Sequence, residues 1–299
     1  MKTIKSVIVI FLSVILIAAA CLPAFAVTIY QYNGYSYQML ANKNIALCGW
    51  DNRSPELVVP EYLEDSIFTE VSNFGLTGNN DITTLDLSGA NQLQTIGIMA
   101  FKDCKGISNV VEIPESVSVV GNGAFQGCSS MTGVVYKADL DTIYAQTFYD
   151  CSSLSSVVLP ENLKTIEKFA FGNCTSLERL DIPQSVTDIN PTAFYNDTNL
   201  TLGVWFGSYG YEYAQSHNIP YVLLDEVKLG DANGDGSVNI NDVTQIQRHL
   251  AELESLEGIY LHAADANQDG TLDISDATTL QMYLAKYDIP YPIGEFMTQ

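Results

Sequence analysis

Two twelve-residue segments near the end of the chain place oxygen-bearing side chains at the spacing that a calcium ion requires. The first, DANGDGSVNIND, spans residues 231–242, and the second, DANQDGTLDISD, repeats it 34 residues later at 265–276. Both have such side chains at positions 1, 3, 5, 9 and 12, a residue at position 7 whose backbone carbonyl can bind, and a glycine at position 6 for the sharp turn. The predicted ligands are Asp231, Asn233, Asp235, Ser237, Asn239 and Asp242, then Asp265, Asn267, Asp269, Thr271, Asp273 and Asp276. We expect two calcium ions, since an acidic turn would explain neither the spacing nor its duplication.

Each loop is followed by apolar residues at helical spacing. These are Val243, Ile246 and Leu250 after the first loop, and Ala277, Leu280 and Leu284 after the second. Residues at i, i+3 and i+7 share one helix face, so the two predicted helices can pack on each other. No helix is expected before the first loop, because that segment contains Pro220 and a β-like run. Both loops end in Asp where a full EF-hand usually has Glu, which disfavours a calcium sensor.

Together the two loop–helix units, residues 226–294, resemble a type I dockerin. The resemblance implies calcium-dependent folding and docking onto a cohesin module of a scaffolding protein, in a cellulosome or a similar assembly that degrades polysaccharide. It also implies that the partner is selected by residues before the last ligand and on the helix face. These are Ile240, Asn241, Gln247 and Arg248 in the first repeat and Ile274, Ser275, Gln281 and Met282 in the second. The frequent Ser-Thr pair is replaced by Ile-Asn and Ile-Ser, and Arg248 corresponds to Met282, so the two faces are comparable but not equivalent.

An internal repeat fills the middle of the chain. Five segments share the template L-x-x-I-x-x-x-A-F-x-x-C-x-x-L, and their phenylalanines are 24, 23, 23 and 23 residues apart: Phe101, Phe125, Phe148, Phe171 and Phe194. A short β-prone run follows most of them. One unit has too few apolar residues for its own core, so the units must stack, Phe on Phe and strand beside strand, as a solenoid.

The template and the strand ends Ile113-Pro114, Leu159-Pro160 and Ile182-Pro183 resemble the leucine-rich repeats of the BspA-like kind. The predicted fold class is therefore a β-rich leucine-rich-repeat solenoid plus a small all-α calcium-binding domain. Alternation predicts that the exposed strand residues are Thr84, Asp86, Gly133, Val135, Ser156, Val158, Arg179 and Asp181. Val135 and Val158 would form a small apolar strip, where the array would bind a protein or glycan ligand that the sequence does not identify.

Four cysteines occupy one template position, where the flanking units have Asn79 and Asp197. They are Cys104, Cys128, Cys151 and Cys174. We expect them to form a ladder of small buried side chains along the interior. Disulfide pairing or metal binding is the alternative in an exported protein, and Cys48 has no evident partner in the sequence.

Residues 1–26 have the pattern of a secretory leader, with Lys2 and Lys5, an apolar run and an A-x-A cleavage pattern before Val27. No other run approaches the roughly 18 apolar residues that a membrane span needs. The formal net charge of −22 argues against nucleic acid or anionic lipid as a partner. We expect a secreted protein, in an extracellular or cell-surface complex.

The predicted domains are the leader at 1–26, an N-terminal cap with a degenerate repeat at 27–80, the solenoid with its closing unit at 81–225, and the dockerin at 226–294. His217, His249 and His262 lie apart, without an H-E-x-x-H or G-x-S-x-G motif, and are expected at the surface or in caps. We therefore expect no catalytic residues, no cofactor other than calcium, and a non-catalytic accessory protein. The alternatives are a dockerin-delivered polysaccharide-active enzyme and a purely structural spacer.

Overall fold

A computed structural model describes residues 7–9, 28–40, 43–51 and 54–297. The predicted leader lies outside the described residues except for a short strand, β1, at Val7–Val9. The chain divides into two compact units, Met1–Leu200 and Thr201–Gln299. The first unit consists of short β-strands, and the four described α-helices belong to the second. A β-rich repeat array followed by a small helical domain agrees with the predicted fold class.

The first unit opens with a sheet that changes direction where the repeats begin. The strands before the repeats are β2 Thr28–Tyr32, β3 Tyr35–Met39, β4 Ile45–Trp50, β5 Glu56–Val58, β6 Tyr62–Leu63 and β7 Ser66–Val71. Of these, β5 lies outside this sheet and pairs with Thr84–Asp86. Asn33 and Gly34, both with positive φ, form the two-residue turn between β2 and β3, as Asn-Gly favours. Strands β2, β3 and β4 are antiparallel, whereas β4 pairs with β7 in parallel. The parallel pairing leads directly into the repeat array.

Each repeat contributes one longer and one shorter strand. The longer strands are β8 Thr84–Asp86, β10 Val110–Ile113, β12 Gly133–Tyr136, β14 Ser156–Val158 and β16 Arg179–Asp181, and the shorter ones are β9 Thr95–Ile96, β11 Val119–Val120, β13 Thr142–Ile143, β15 Thr165–Ile166 and β17 Asp188–Ile189. Strands β10, β12 and β14 are parallel and in register, as are β13, β15 and β17. Between β8 and β10, the Asn109 side chain bonds both the N–H and the C=O of Leu85 in place of a backbone partner. The stacked solenoid predicted from the 23-residue period is confirmed.

The interior of the solenoid contains a column of phenylalanine rings. Neighbouring rings from Phe101 to Phe194 stack at centroid distances of 5.2, 5.8, 5.4 and 5.8 Å, with interplanar angles of 7° to 18°. Phe101, Phe125, Phe148 and Phe171 are fully buried. The offset stacking adds to the burial of apolar area, so the repeated Phe is the centre of the core.

A ladder of buried thiols accompanies the rings, as predicted. Every described cysteine is free, and the four at the template position are buried. Each of these four thiols donates to a backbone carbonyl of a preceding unit at 3.0 to 3.2 Å, for example Cys174 Sγ to Phe148 O. Burial raises the pKa of the Cys151 thiol, which keeps it in the neutral form that donates such a bond. The disulfide alternative is not observed among the described cysteines.

The exposed strand face agrees with the prediction in part: Ser156, Val158, Arg179 and Asp181 are exposed, whereas Thr84, Asp86 and Val135 are half-buried. Val158 is 51% exposed, and Arg179 and Asp181 are exposed and form a salt bridge with each other. Gly133, expected to point outward, is buried instead. Val110 pairs with Gly133 across the sheet, and a Cβ added to Gly133 would lie 3.1 Å from a methyl group of Val110. The apolar strip therefore includes Val110, which is 46% exposed.

The second unit contains the closing strands and the helical domain. Its elements are β18 Thr201–Val204, α1 Tyr209–Ser216, β19 Tyr221–Leu223, α2 Ile240–Leu250, α3 Gly258–Ala264 and α4 Ile274–Leu284. Strands β18 and β19 are parallel, and Leu223 packs against the helical core. Within the part of the chain that the structure describes, no helix is long and apolar enough to span a bilayer.

Candidate calcium loops and docking face

The first loop folds around its first and last aspartates. Asp231 accepts hydrogen bonds from the backbone N–H groups of Gly234 and Asp235 on Oδ1 and of Gly236 on Oδ2, at 2.9 to 3.2 Å. Asp242 accepts from Asn233 N at 3.1 Å and from Asn239 N at 2.8 Å. Gly236 has φ +82°, as the sharp turn requires. The two carboxylates therefore hold the ends and the middle of the loop together.

The second loop reproduces this arrangement except for the bond of Gly234, since Gln268 N donates to the backbone Asp265 O instead. Asp265 accepts from Asp269 N at 3.2 Å and Gly270 N at 2.9 Å. Asp276 accepts from Asn267 N at 3.2 Å and Asp273 N at 2.9 Å. Gly270 has φ +86°. Two segments that differ in sequence adopt the same hydrogen-bonded loop, which shows that the 34-residue duplication is structural as well.

Negative charge is buried in both loops. Asp242 and Asp276 are fully buried, and Asp231 is 3% exposed. Burial raises the pKa of Asp242, backbone N–H donors lower it in part, and the nearby charges of Asp231 and Asp235 raise it further. The pKa of Asp276 is raised by burial and by Asp265 and Asp269 in the same way. A buried carboxylate beside two others is costly without a cation, so the donor chemistry of the loops fits a hard divalent ion.

Carboxylates alone do not complete the predicted sites. Among the described residues, no group of three or more His, Cys, Asp or Glu side chains is arranged to hold a metal ion by itself. Each predicted set also contains amide and backbone carbonyl oxygens, which are ordinary calcium ligands. The twelve-residue ligand assignment therefore stays a prediction that depends on these additional oxygens.

Position 9 of each loop has a second role that the ligand pattern did not indicate. Asn239 is the N-cap of α2 and accepts from Asn241 N at 2.8 Å. Asp273 is the N-cap of α4 and accepts from Ser275 N and Oγ, bonds that lower the pKa of Asp273. Both helices have a complete capping box, with the position-12 Asp at N3. Side chains so engaged are suited to bind calcium through a water, as position 9 often does.

The two helices that follow the loops pack on each other, as predicted. Val243 and Ile246 of α2 and Ala277 and Leu280 of α4 lie in one buried cluster. Leu284 packs against its edge. Leu250, expected in the same stripe, is instead 37% exposed at the last residue of α2.

The predicted partner-binding residues lie mainly on an exposed face. Ile240 is 60% and Ile274 63% exposed, although both are large and apolar, and Met282 is 40% exposed. Asn241, Gln247, Arg248 and Gln281 are also exposed. Arg248 pairs with Glu254, and the half-buried Ser275 hydroxyl bonds Asp273 and Asn267. Both repeats thus begin their helix with an exposed isoleucine, which we call the paired isoleucines.

The sequence did not indicate how the helical domain closes. Its last described residues run beside its first ones: Leu229 N donates to Glu295 O, and Met297 N to Val227 O, both at 2.9 Å. Lys228 lies over the Phe296 ring and donates to Gly236 O at 2.9 Å. Met297 belongs to the buried core. This C-terminal clasp, residues 293–297, extends the domain past the predicted end at 294.

The three histidines have structural contacts. His217 stacks on Tyr213 at a centroid distance of 4.1 Å, and His262 on Phe206 at 5.3 Å. His249 Nδ1 accepts from Leu256 N at 3.0 Å. His262 lies in helix α3, which the sequence pattern did not indicate. Before the first loop, β19 is the nearest element and no described helix enters that loop, as predicted.

Two family models match the chain. Residues 69–201 match the BspA type leucine rich repeat region in six copies, and residues 229–285 match the dockerin type I domain. Both assignments agree with the resemblances seen in the repeat template and in the duplicated loops. No curated protein matches the chain.

Several solved structures of bacterial leucine-rich repeat proteins are similar to this chain. One from T. pallidum is 22% identical with a TM-score of 0.41, and the match covers 58% of this chain and 70% of that one. One from Bacteroides ovatus is 22% identical with a TM-score of 0.42, covering 58% and 40%. One from Eubacterium ventriosum is 21% identical with a TM-score of 0.37, covering 56% and 50%. At these scores the three similarities support no functional inference.

Proposed function

Because this chain carries a BspA type leucine rich repeat region and a type I dockerin domain, we propose that it is a secreted, non-catalytic component of a polysaccharide-degrading complex. In this proposal the dockerin anchors the protein to a scaffolding protein by binding a cohesin in the presence of calcium. The repeat array then presents a separate surface to a protein or glycan. The observation that carries the proposal is the duplicated loop–helix unit with its paired isoleucines.

The paired isoleucines support docking because their exposure has no structural reason inside the domain. The two side chains are 60% and 63% exposed at the first residue of α2 and of α4. Each lies two residues before the last Asp of its loop, which is fully buried at the third position after the N-cap. Calcium in the loop would fix that Asp, and with it the start of the helix that bears the isoleucine. Calcium binding and presentation of the docking face are coupled in this way.

The duplication also supports two orientations of unequal strength. Each repeat offers an isoleucine and a glutamine, Gln247 or Gln281, at matching positions. The positions beside the glutamines differ, since Arg248 is charged and paired with Glu254, whereas Met282 is apolar. A cohesin that contacts mainly one repeat would therefore meet a different surface if the dockerin were rotated to present the other repeat. We expect one orientation to dominate.

Support for a non-catalytic role comes from the modules and from the histidines. Leucine-rich repeats and dockerins are non-catalytic modules, and together their matches cover residues 69–201 and 229–285. His217, His249 and His262 are engaged in ring stacking or helix-end hydrogen bonds. The enzyme alternative predicts hydrolysis of polysaccharide by the purified protein, and the spacer alternative predicts that the repeat array has no ligand.

Calorimetric titration of the mature chain with a panel of cohesin modules tests the proposal. We expect one or more cohesins to bind with calcium and none to bind with a chelator. Ile240→Asp and Ile274→Asp should each weaken binding to a different extent, and the double variant should abolish it. Val158→Asp changes another exposed apolar residue, in the repeat array, and should have no effect. Docking is refuted if the double variant binds as tightly as the wild type.

A further inference from the structure

Three aromatic side chains form a ridge on the outside of the last repeat units. Tyr149 and Phe169 lie 5.9 Å apart between ring centroids, and Phe169 and Tyr195 lie 5.7 Å apart. The interplanar angles are 77° and 82°, unlike the nearly parallel rings of the interior. Tyr195 is 57% exposed, and Tyr149 and Phe169 are half-buried. We call these three residues the aromatic ridge.

The ridge does not follow from the repeat template. Tyr149 and Tyr195 directly follow the core phenylalanine of their units, where the other units have Lys102, Gln126 and Gly172. Phe169 comes from a different template position, where the other positive-φ residues, Met99, Gly123 and Gln146, are not aromatic. Its φ is +55°, a conformation that bulky side chains rarely adopt. Its ring lies over Gly172, where an added Cβ would be 3.1 Å from the Tyr149 ring and 3.5 Å from the Phe169 ring. The glycine thus leaves space for two rings of neighbouring units to meet.

A row of polar side chains runs beside the rings. Asn173 Nδ2 donates to Asp150 Oδ1 at 2.6 Å, and Asn196 Nδ2 donates to Asn173 Oδ1 at 2.9 Å. All three residues have positive φ, between 61° and 66°, which by itself accounts for Asp and Asn at these positions. It does not account for the tyrosines next to two of them. We call Asp150, Asn173 and Asn196 the amide row.

We propose that the aromatic ridge and the amide row together bind a neutral polysaccharide. This inference rests on the proposed function and deepens it, by giving the repeat array a ligand class. A pyranose ring has an apolar C–H face that packs on an aromatic ring, whose face is electronegative. Its hydroxyl groups form hydrogen bonds with planar amides and carboxylates, which have both donors and acceptors. With ring centroids 5.9 and 5.7 Å apart, the three rings form one continuous aromatic surface for such a face.

The rigidity of the amide row and the negative charge of the chain both favour a neutral polysaccharide as the ligand. The row is held by its own side-chain bonds and by backbone bonds between units, such as Asn173 N to Tyr195 O at 2.8 Å. A surface fixed before binding loses little entropy when a ligand arrives. The net charge of −22 repels polyanionic chains. Three rings are too few for the core of a protein interface, which buries about 800 Å² per partner.

Affinity electrophoresis of the mature chain tests the inference, with gels that contain xyloglucan, mixed-linkage β-glucan, arabinoxylan or galactomannan. We expect retardation by one or more of these neutral polymers and none by polygalacturonate. Tyr195→Ala should weaken binding about tenfold, which corresponds to about 1.4 kcal/mol. Gly172→Ala keeps all three rings but displaces Tyr149, and should cause a smaller loss. Tyr62→Ala removes a tyrosine that is 54% exposed elsewhere in the first unit and should change nothing.

Three outcomes would overturn the inference: no retardation by any neutral polymer, equal retardation of the wild type and Tyr195→Ala, or stronger retardation by polygalacturonate. Titrating the same samples with the cohesin panel separates the two proposals. Cohesin binding without polysaccharide binding would refute the ridge as a glycan site and leave docking intact. Polysaccharide binding without cohesin binding would refute docking and leave the ridge. Capture of a protein that competes at Tyr195 would replace the glycan with a protein ligand.

Discussion

Replacing Asp242 by Asn tests whether Asp242 is a calcium ligand or has only a structural role in the cap of α2. The substitution keeps the shape of the side chain and one of its two oxygens, but removes the charge. Asp242 is fully buried, and its two oxygens each accept one backbone N–H, from Asn233 and Asn239. Asp276 has the same role in the second loop, so Asp276→Asn is an internal replicate.

The expected magnitude depends on whether calcium is present. With a chelator, one N–H loses its acceptor, which costs about 1–3 kcal/mol. The loss of a charge that faces Asp231 and Asp235 offsets part of this cost. With calcium at about a thousand times its dissociation constant, a lost site removes about 4 kcal/mol of stabilisation. The stabilisation that calcium adds should therefore fall by about 4 kcal/mol, while the chelated protein changes much less.

Calcium titration and thermal unfolding of the whole chain measure both effects. We expect two ions for the wild type, one for each single variant, and a reduced calcium-dependent shift in the unfolding temperature of the second unit. Asp288→Asn, at an exposed position of the same domain, is the control and should match the wild type. If Asp242→Asn still binds two ions with unchanged affinity, Asp242 is a cap and not a ligand.

Two further predictions concern the repeat array. Asp197 occupies the template position at which four other units have a buried Cys, and its two carboxylate oxygens are buried without a hydrogen-bond partner of normal geometry. Burial raises the pKa of Asp197 to about 7, and the backbone of Cys174 lowers it only in part. The folded state thus keeps a proton that the unfolded chain releases, so stability should fall as pH rises from about 4 to 7. Asp197→Asn should flatten this slope in calorimetric unfolding, and an unchanged slope would contradict the assignment. Phe148 is fully buried between Phe125 and Phe171, so Phe148→Ala should cost about 3–5 kcal/mol in urea unfolding. Phe74→Ala, at a side chain 58% exposed, should stay within about 1 kcal/mol, and equal losses for the two would refute the ring column as the core.

Patterns among residues close in sequence predicted the loops, the helices that follow them and the stacked repeats. The loops are recognised by ligand spacing within twelve residues, and the helices after them by apolar residues three and four positions apart. The repeat period predicts stacking because similar units place Phe beside Phe in adjacent turns, as the centroid distances of 5.2 and 5.4 Å confirm. Such patterns depend only on residues close in sequence, or on their periodic recurrence. The ligand role of each loop oxygen remains a prediction.

The sequence by itself determined the repeat array, the duplicated loops and the small helical domain, because each has a signal that recurs at a fixed spacing. Only the tertiary structure decided which side chains meet between units. Gly133 is buried because Val110 of the previous unit covers it, and Leu250 is exposed although its spacing continues that of the buried Val243 and Ile246. The aromatic ridge joins Phe169 to tyrosines of neighbouring units at a different template position. The C-terminal clasp joins residues over sixty positions apart. These contacts depend on the relative placement of distant backbone segments, which no local period encodes.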